Sequence, residues 1–271
     1  MGQSVCQCKD TDYATPVVQD VKVDNSSNDG PKEARPEYTY ETGAKYTGEW
    51  RGTKRDGQGT QVWPDGAKYV GQWRNDRAEG QGKFEHADGD VYDGNWKNDK
   101  AHGQGTYKHL DGSKYQGQWQ EDRQHGEGVE VWPDGAKYEG QYQNGSKSGK
   151  GRFGWVDGST YDGEFIDNDI NGEGIYTWGD GRKFDGTWLK NRMHGKGVFS
   201  WTDGRMYDGE YQNDQKHGEG KFQWPDGRQY DGQWKEGKQH GVGRYTSGRG
   251  ETKQGIWEDG KRTRWTEGNN Q

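Results

Sequence analysis

Leucine is nearly missing from this chain, with only Leu110 and Leu189 in 271 residues. Hydrophobic residues of all kinds make up 25%, and the mean hydropathy is -1.53. An ordinary layered core needs more apolar side chain than that, and such values belong to disordered chains. Cysteine is confined to Cys6 and Cys8, too close together and too terminal to frame a disulfide fold. No apolar run approaches the roughly 20 residues that span a bilayer as a helix. The N-terminus is polar and shows no cleavable signal pattern. A basic excess is absent as well. The formal charge is -7 and the pI about 5.6, which argues against a nucleic-acid partner. Together these absences lead us to expect an intracellular protein.

What is present contradicts disorder. Aromatic residues reach 13%, with 14 Trp and 16 Tyr, beside 48 Gly. A fold that lays flat rings against glycine backbone reconciles the two observations.

The rings recur in order. The phrase Tyr-x-Gly-x-Trp stands at Tyr46-Gly48-Trp50, Tyr69-Gly71-Trp73, Tyr92-Gly94-Trp96 and Tyr115-Gly117-Trp119. It continues as Tyr138-Gly140-Tyr142, Tyr161-Gly163-Phe165, Phe184-Gly186-Trp188, Tyr207-Gly209-Tyr211 and Tyr230-Gly232-Trp234. A degraded copy, Lys253-Gly255-Trp257, closes the series. The spacing is 23 residues throughout, the mark of a repeat architecture. Each copy has a second half: two glycines such as Gly103 and Gly105, a short aromatic stretch, and then Asp-Gly, as in Asp65-Gly66 or Asp203-Gly204.

Both halves alternate with period two and read as strands. Asp-Gly reads as the tight hairpin turn, and Asn98-Asp99-Lys100-Ala101-His102 as the longer, polar connection. Tyr207, Gly209 and Tyr211 then share a face, as do Gly218, Gly220, Phe222 and Trp224. The expected fold is all-β: an elongated single-layer antiparallel sheet of tandem hairpins, a twisted ribbon or groove. About 20 strands at roughly 4.8 Å give about 95 Å of array.

This pattern resembles MORN (membrane occupation and recognition nexus) repeats over about residues 38–257. The resemblance implies a non-catalytic scaffold. Such arrays occur in cytoskeletal, axonemal and junction proteins, and appended to lipid kinases or methyltransferases, for which no segment remains here. Departures are Gln61 and Glu130 in place of an aromatic, and His86 and His109 in place of Trp. The expected organisation is an acylation segment (1–8), a disordered linker (9–37), the array (38–260, about nine full repeats plus partial terminal ones) and a tail (261–271).

The start, Met1-Gly2-Gln3-Ser4-Val5-Cys6-Gln7-Cys8-Lys9-Asp10, looks like the acylated start of some Src-family kinases. Gly2 is the position for N-myristoylation, and Cys6 and Cys8 are candidates for S-palmitoylation. Two acyl chains anchor stably where one does not.

No residue reads as catalytic, no cofactor is implied and no metal site is expected. His102, His125, His194, His217 and His240 share one repeat position, but neighbouring repeats lie about 10 Å apart, too far to share an ion. They read as polar turn residues. On the face opposite the rings, Lys45, Lys68, Lys114 and Lys137 are candidates to face anionic lipid, with Lys183 in the same column. Glu139, Asp162, Asp185, Asp208 and Asp231 make that face more acidic further along the chain.

The expected function is therefore a membrane-tethered scaffold on the cytoplasmic side, linking the membrane to cortical or cytoskeletal proteins. Alternatives are an axonemal or ciliary structural subunit, and a phosphoinositide-binding regulator of a lipid kinase. The sequence names no protein partner. Exposed sheet ends and an aromatic face would suit a homodimer, an extended peptide or a helix.

Overall fold

The computed structural model describes residues 30–266, and these form twenty-one strands without a helix. The chain divides into two compact units at residues 146 and 147. The first holds β1 (Glu33–Thr39), β2 (Lys45–Arg51), β3 (Lys54–Val62), β4 (Lys68–Arg74), β5 (Arg77–Glu85), β6 (Val91–Lys97), β7 (Lys100–Lys108), β8 (Lys114–Gln120), β9 (Arg123–Val131) and β10 (Lys137–Gln143). The second holds β11 (Ser146–Gly154), β12 (Thr160–Ile166), β13 (Asp169–Thr177), β14 (Lys183–Leu189), β15 (Arg192–Ser200), β16 (Met206–Gln212), β17 (Gln215–Gln223), β18 (Gln229–Lys235), β19 (Lys238–Thr246), β20 (Thr252–Glu258) and β21 (Lys261–Trp265). Within each unit every strand pairs antiparallel with its neighbour in sequence. β1 takes in residues 33–37, which the sequence reading placed in the linker, and β21 takes in residues 261–265 of the expected tail.

The two turns exchange the roles read from the sequence. Residues 98 and 99 alone connect β6 to β7, with both φ angles positive, Asn98 at 51° and Asp99 at 66°. Two left-handed residues in succession make the type I′ turn, whose twist matches that of the strands. Asn, Asp and Gly fill most of these positions because they tolerate left-handed backbone best, with Glu121, Lys190 and Glu236 the exceptions among residues 75–260. Asp65-Gly66 instead lies inside a five-residue loop, closed by Trp63 N–H donating to Ala67 C=O at 2.9 Å. Asp65 Oδ1 accepts the N–H of Ala67 there. The Asp-Gly signal was real, but it marks the looser of the two turns.

Each tight turn also grips the preceding hairpin. Asp99 N–H donates to Ala78 C=O at 3.1 Å, and Ala78 N–H donates to Asp99 Oδ1 at 2.7 Å. Asp122 with Ala101, Asn191 with Ile170 and Asp214 with Met193 repeat the pair of bonds. The carboxyls of Asp99 and Asp122 are pushed upward, burial being the main cause.

Just beyond the tight turn the register slips. Gly94 faces Gly105 while Trp96 faces Ala101, so β7 carries two extra residues. Gly103, at φ 71°, sits in this bulge. The long polar residue opposite can cap the freed backbone: Gln118 Oε1 accepts the N–H of Glu127 at 3.1 Å, and Gln233 Oε1 that of Val242 at 3.1 Å. Two extra residues preserve the alternation, so the faces read from period two survive the slip.

Candidate functional site

The rings of the repeat phrase form one continuous ladder within each unit. Tyr69 meets Trp73 of its own hairpin at 5.0 Å and Trp96 of the next at 5.2 Å, both edge-to-face. Tyr92 does the same with Trp96 and Trp119, and Tyr115 with Trp119 and Tyr142. In the second unit the ladder runs through Phe184, Trp188, Tyr211, Tyr207, Trp234, Tyr230 and Trp257. Such contacts add about 0.5–1.5 kcal/mol each beyond the area they bury.

Glycine makes the ladder possible. Tyr46 lies over Gly48 and Gly59, Tyr69 over Gly71 and Gly82, Tyr207 over Gly209 and Gly220, and Tyr230 over Gly232 and Gly243. Gly94 and Gly117 pair with Gly105 and Gly128 in the same way. The hydroxyl of the first tyrosine of each phrase donates back to its own strand, as Tyr92 does to Asn95 C=O at 2.9 Å. The indole N–H of Trp96 donates to Gly82 C=O at 2.8 Å, and that of Trp234 to Gly220 C=O at 2.8 Å.

These rings are core rather than open surface. Tyr46, Tyr69, Tyr92, Tyr115, Tyr207 and Tyr230 are fully buried, and Trp50, Trp73, Trp96, Trp119 and Trp234 are 2–7% exposed. The rings expected to receive a partner are occupied with one another. Aromatic surface remains at the five-residue loops of the second unit. There Trp178, Trp201 and Trp224 are only part-buried, each under the guanidinium of Arg182, Arg205 or Arg228 at 5.3–5.5 Å. Each of these arginines is also paired at 2.7 Å with the aspartate of its own loop.

Sequence reasoning missed a column on the inner face, at the residue facing the Trp of the phrase. Alanine fills it at Ala78 and Ala101, with Ile170 and Met193 later. Arg55 and Lys216 put cations there, and Lys147, 2% exposed, holds the same repeat position one repeat before Ile170. Arg55 is 2% exposed, lies 3.9 Å over Trp73, and donates to Gln61 Oε1 at 2.5 Å and to Asp76 C=O at 2.5 Å. Gln61 in place of an aromatic is thereby explained. Glu130, the other such departure, accepts the hydroxyl of Tyr142 at 2.9 Å.

His86 and His109 part company. His109 Nδ1 lies 2.7 Å from Asp90 Oδ2, and Asp90 also accepts the Tyr107 hydroxyl and the Leu110 N–H, both at 2.9 Å. Burial works against the Asp90 charge, but these donors outweigh it and hold the carboxyl below its ordinary value. Burial lowers the pKa of His86. The histidines read as turn residues lie in strands instead, one residue before the bulge glycine, as His102 does in β7. No group of His, Cys, Asp and Glu suited to a metal occurs among the described residues.

The outer face differs between the units. In β2–β10 it carries Lys45, Arg51, Lys54, Lys68, Arg74, Arg77, Lys83, Lys97, Lys100, Lys108, Lys114, Arg123 and Lys137. Against these thirteen cations stand seven carboxylates: Glu49, Asp56, Glu79, Glu85, Asp93, Glu127 and Glu139. Strands β11–β20 show nine cations on that face against ten carboxylates. Three tight turns of the first unit bring like charges directly opposite each other: Arg51 with Lys54, Arg74 with Arg77, and Lys97 with Lys100. Such pairs cost stability. Lys45 is partnered with Glu37 at 2.9 Å and Lys137 with Glu139 at 2.7 Å. Gly2, Cys6 and Cys8 lie outside the described residues.

Identical hairpins, stacked through a ring-and-glycine face, define a β-hairpin repeat protein. The MORN repeat model matches nine consecutive segments, residues 46–68, 69–91, 92–114, 115–137, 138–160, 161–181, 184–204, 207–227 and 230–252, and the chain belongs to that family. No curated protein matches it. Among solved structures, the TCP domain of Drosophila melanogaster SAS-4 (dCPAP), in complex with a proline-rich motif of Ana2, aligns over 70% of this chain and 96% of its own. The identity is 14% and the TM-score 0.35. The wild-type TCP10 domain of Danio rerio CPAP covers 86% of this chain and 100% of its own, at 11% identity and TM-score 0.27. Virginiamycin B lyase from Staphylococcus aureus covers 83% of this chain and 84% of its own, at 8% identity and TM-score 0.16. Scores this low carry no functional argument.

Proposed function

We propose that the protein is a non-catalytic scaffold tethered to the cytoplasmic side of a membrane. Gly2 takes a myristoyl chain, and Cys6 and Cys8 take palmitoyl chains. The outer face of β2–β10 then rests against anionic lipid. The observation that carries this reading is that face's excess of six cations in a chain whose formal charge is -7. Each basic residue close to an anionic leaflet is worth about 1 kcal/mol, and acyl chains supply the rest of a stable anchor. The second unit, balanced in charge on that face, is left for protein partners of the cortex or cytoskeleton.

The test is vesicle sedimentation with full-length protein carrying Gly2→Ala. Vesicles of phosphatidylcholine alone and with phosphatidylserine give the comparison. Binding that requires phosphatidylserine and falls when Lys45, Lys68, Lys114 and Lys137 become Glu supports the face. Binding indifferent to all four removes it. Intact mass of the protein from its own cells tests the acyl groups separately.

A further inference from the structure

Lys216 differs from Arg55 and Lys147, the other cations at its repeat position, in being part-exposed where they are 2% exposed. It enters the inner face opposite Tyr211, at the position that holds Met193 one repeat earlier and Ile170 before that. Its Nζ lies within reach of four rings: Phe222 at 4.4 Å, Trp234 at 4.9 Å, and Trp201 and Tyr207 each at 5.1 Å. Arg55, its counterpart in the first unit, is satisfied by Gln61 and Asp76. Among the described residues, Lys216 has no ion pair and no side-chain hydrogen bond. Asp214, two residues away, is committed to the Met193 N–H. The charged neighbour that bears on it is the guanidinium of Arg205, another cation.

A primary amine held this way is a poor ammonium and a good nucleophile. Burial first, and Arg205 second, pull its pKa down to about 8. The rings moderate that fall, because their faces favour the cation. At about pH 7.4 roughly a fifth of the side chain is then the free amine, against about a thousandth for an ordinary lysine. The side chain is not sealed off, being part-exposed.

We propose that Lys216 is a site of covalent acylation, with an acyl thioester as the co-reactant. The neutral Nζ attacks the thioester carbonyl, the new C–N bond forms, and the C–S bond breaks. The thiolate leaves and takes up the proton that the nitrogen releases. The product amide carries no charge, so it rests on the aromatic face without the desolvation that penalises the ammonium. Met193 and Ile170 show that uncharged side chains suit this position.

Full-length protein is incubated with acetyl-coenzyme A, and acetylation of each lysine is followed by peptide mass spectrometry. Lys221, on the opposite face of the same strand, is the internal reference. At about pH 7.4 the gain in free amine, less the lower nucleophilicity of a weaker base, leaves Lys216 roughly tenfold faster than Lys221. Its rate should rise with a midpoint near pH 8, and its advantage should vanish in denaturing urea. Lys216→Arg should lose this one modified peptide and keep the others. Equal or slower acetylation of Lys216 in the folded protein, or a rate still climbing above pH 10, overturns the proposal.

Discussion

Replacing Gly105 with alanine adds one methyl group, and the sign of its effect tests the whole account of this fold. Gly105 lies in β7 without positive φ, so its backbone is one that alanine adopts freely. In open surroundings such a change stabilises by about 0.4–1 kcal/mol, through the unfolded chain. Here the new Cβ would stand 2.6 Å from Cε2 and Cζ of Tyr92. The ring has nowhere to retreat. Its hydroxyl is bonded to Asn95 C=O at 2.9 Å, and Trp96 and Trp119 close on it at 5.1 and 5.2 Å. Overpacking of a fixed core costs about 1–3 kcal/mol, and two-sided confinement puts Gly105→Ala at the upper end, about 3 kcal/mol. With a urea slope of about 3 kcal/mol per molar, the midpoint should fall by about 1 M. Near-UV circular dichroism, which follows the Tyr and Trp stack, is the assay. Gly154→Ala is the control, because a Cβ there meets nothing within 4 Å and the residue has no positive φ. It should hold or raise the midpoint. A rise with Gly105→Ala would refute the ring-on-glycine argument.

Asp90→Asn should cost about 2 kcal/mol at neutral pH, since three donors converge on that carboxylate. The folded carboxyl is depressed, so its contribution is present above the ordinary value of 3.8 and disappears as pH falls through the lower folded one. Urea midpoints of wild type and variant should therefore converge in acid, and a gap that persists there would contradict the assignment. Asn98→Val should cost about 1–2 kcal/mol because φ at 51° is hostile to a branched side chain, while Asn98→Gly should change the melting temperature little. His86→Trp should stabilise and should flatten stability between about pH 7 and pH 5. The buried imidazole, whose pKa burial lowers, makes the wild type lose stability as pH drops below the ordinary 6.5. Unfolding melts across that range decide it.

The repeat, its strands and its two faces were legible because they rest on spacing alone. Tyr92, Gly94 and Trp96 fall on the inner face wherever the strand begins. The turns were misread because Asp-Gly was given the tighter connection on residue preference. The true tight turn, Asn98-Asp99, looked like part of a longer polar run. The bulge at Gly103 was hidden because two glycines at i and i+2 have identical spelling but different duties, one for its φ and one for the ring above it. Arg55 and Lys216 were missed for a related reason. A charged residue beside a polar turn reads as solvated, and only the register places it under the rings.

The backbone bond from each tight turn to the hairpin before it has an evolutionary consequence. The backbone bond recurs from Asp76 to Gly260 at every 23-residue step, so duplication or loss of one block leaves it in place at the remaining seams. Array length can therefore change in whole steps without a redesigned core. An insertion inside a two-residue turn would break a seam. An insertion in the five-residue loop need not, and that loop is where such a protein is free to acquire a new specificity.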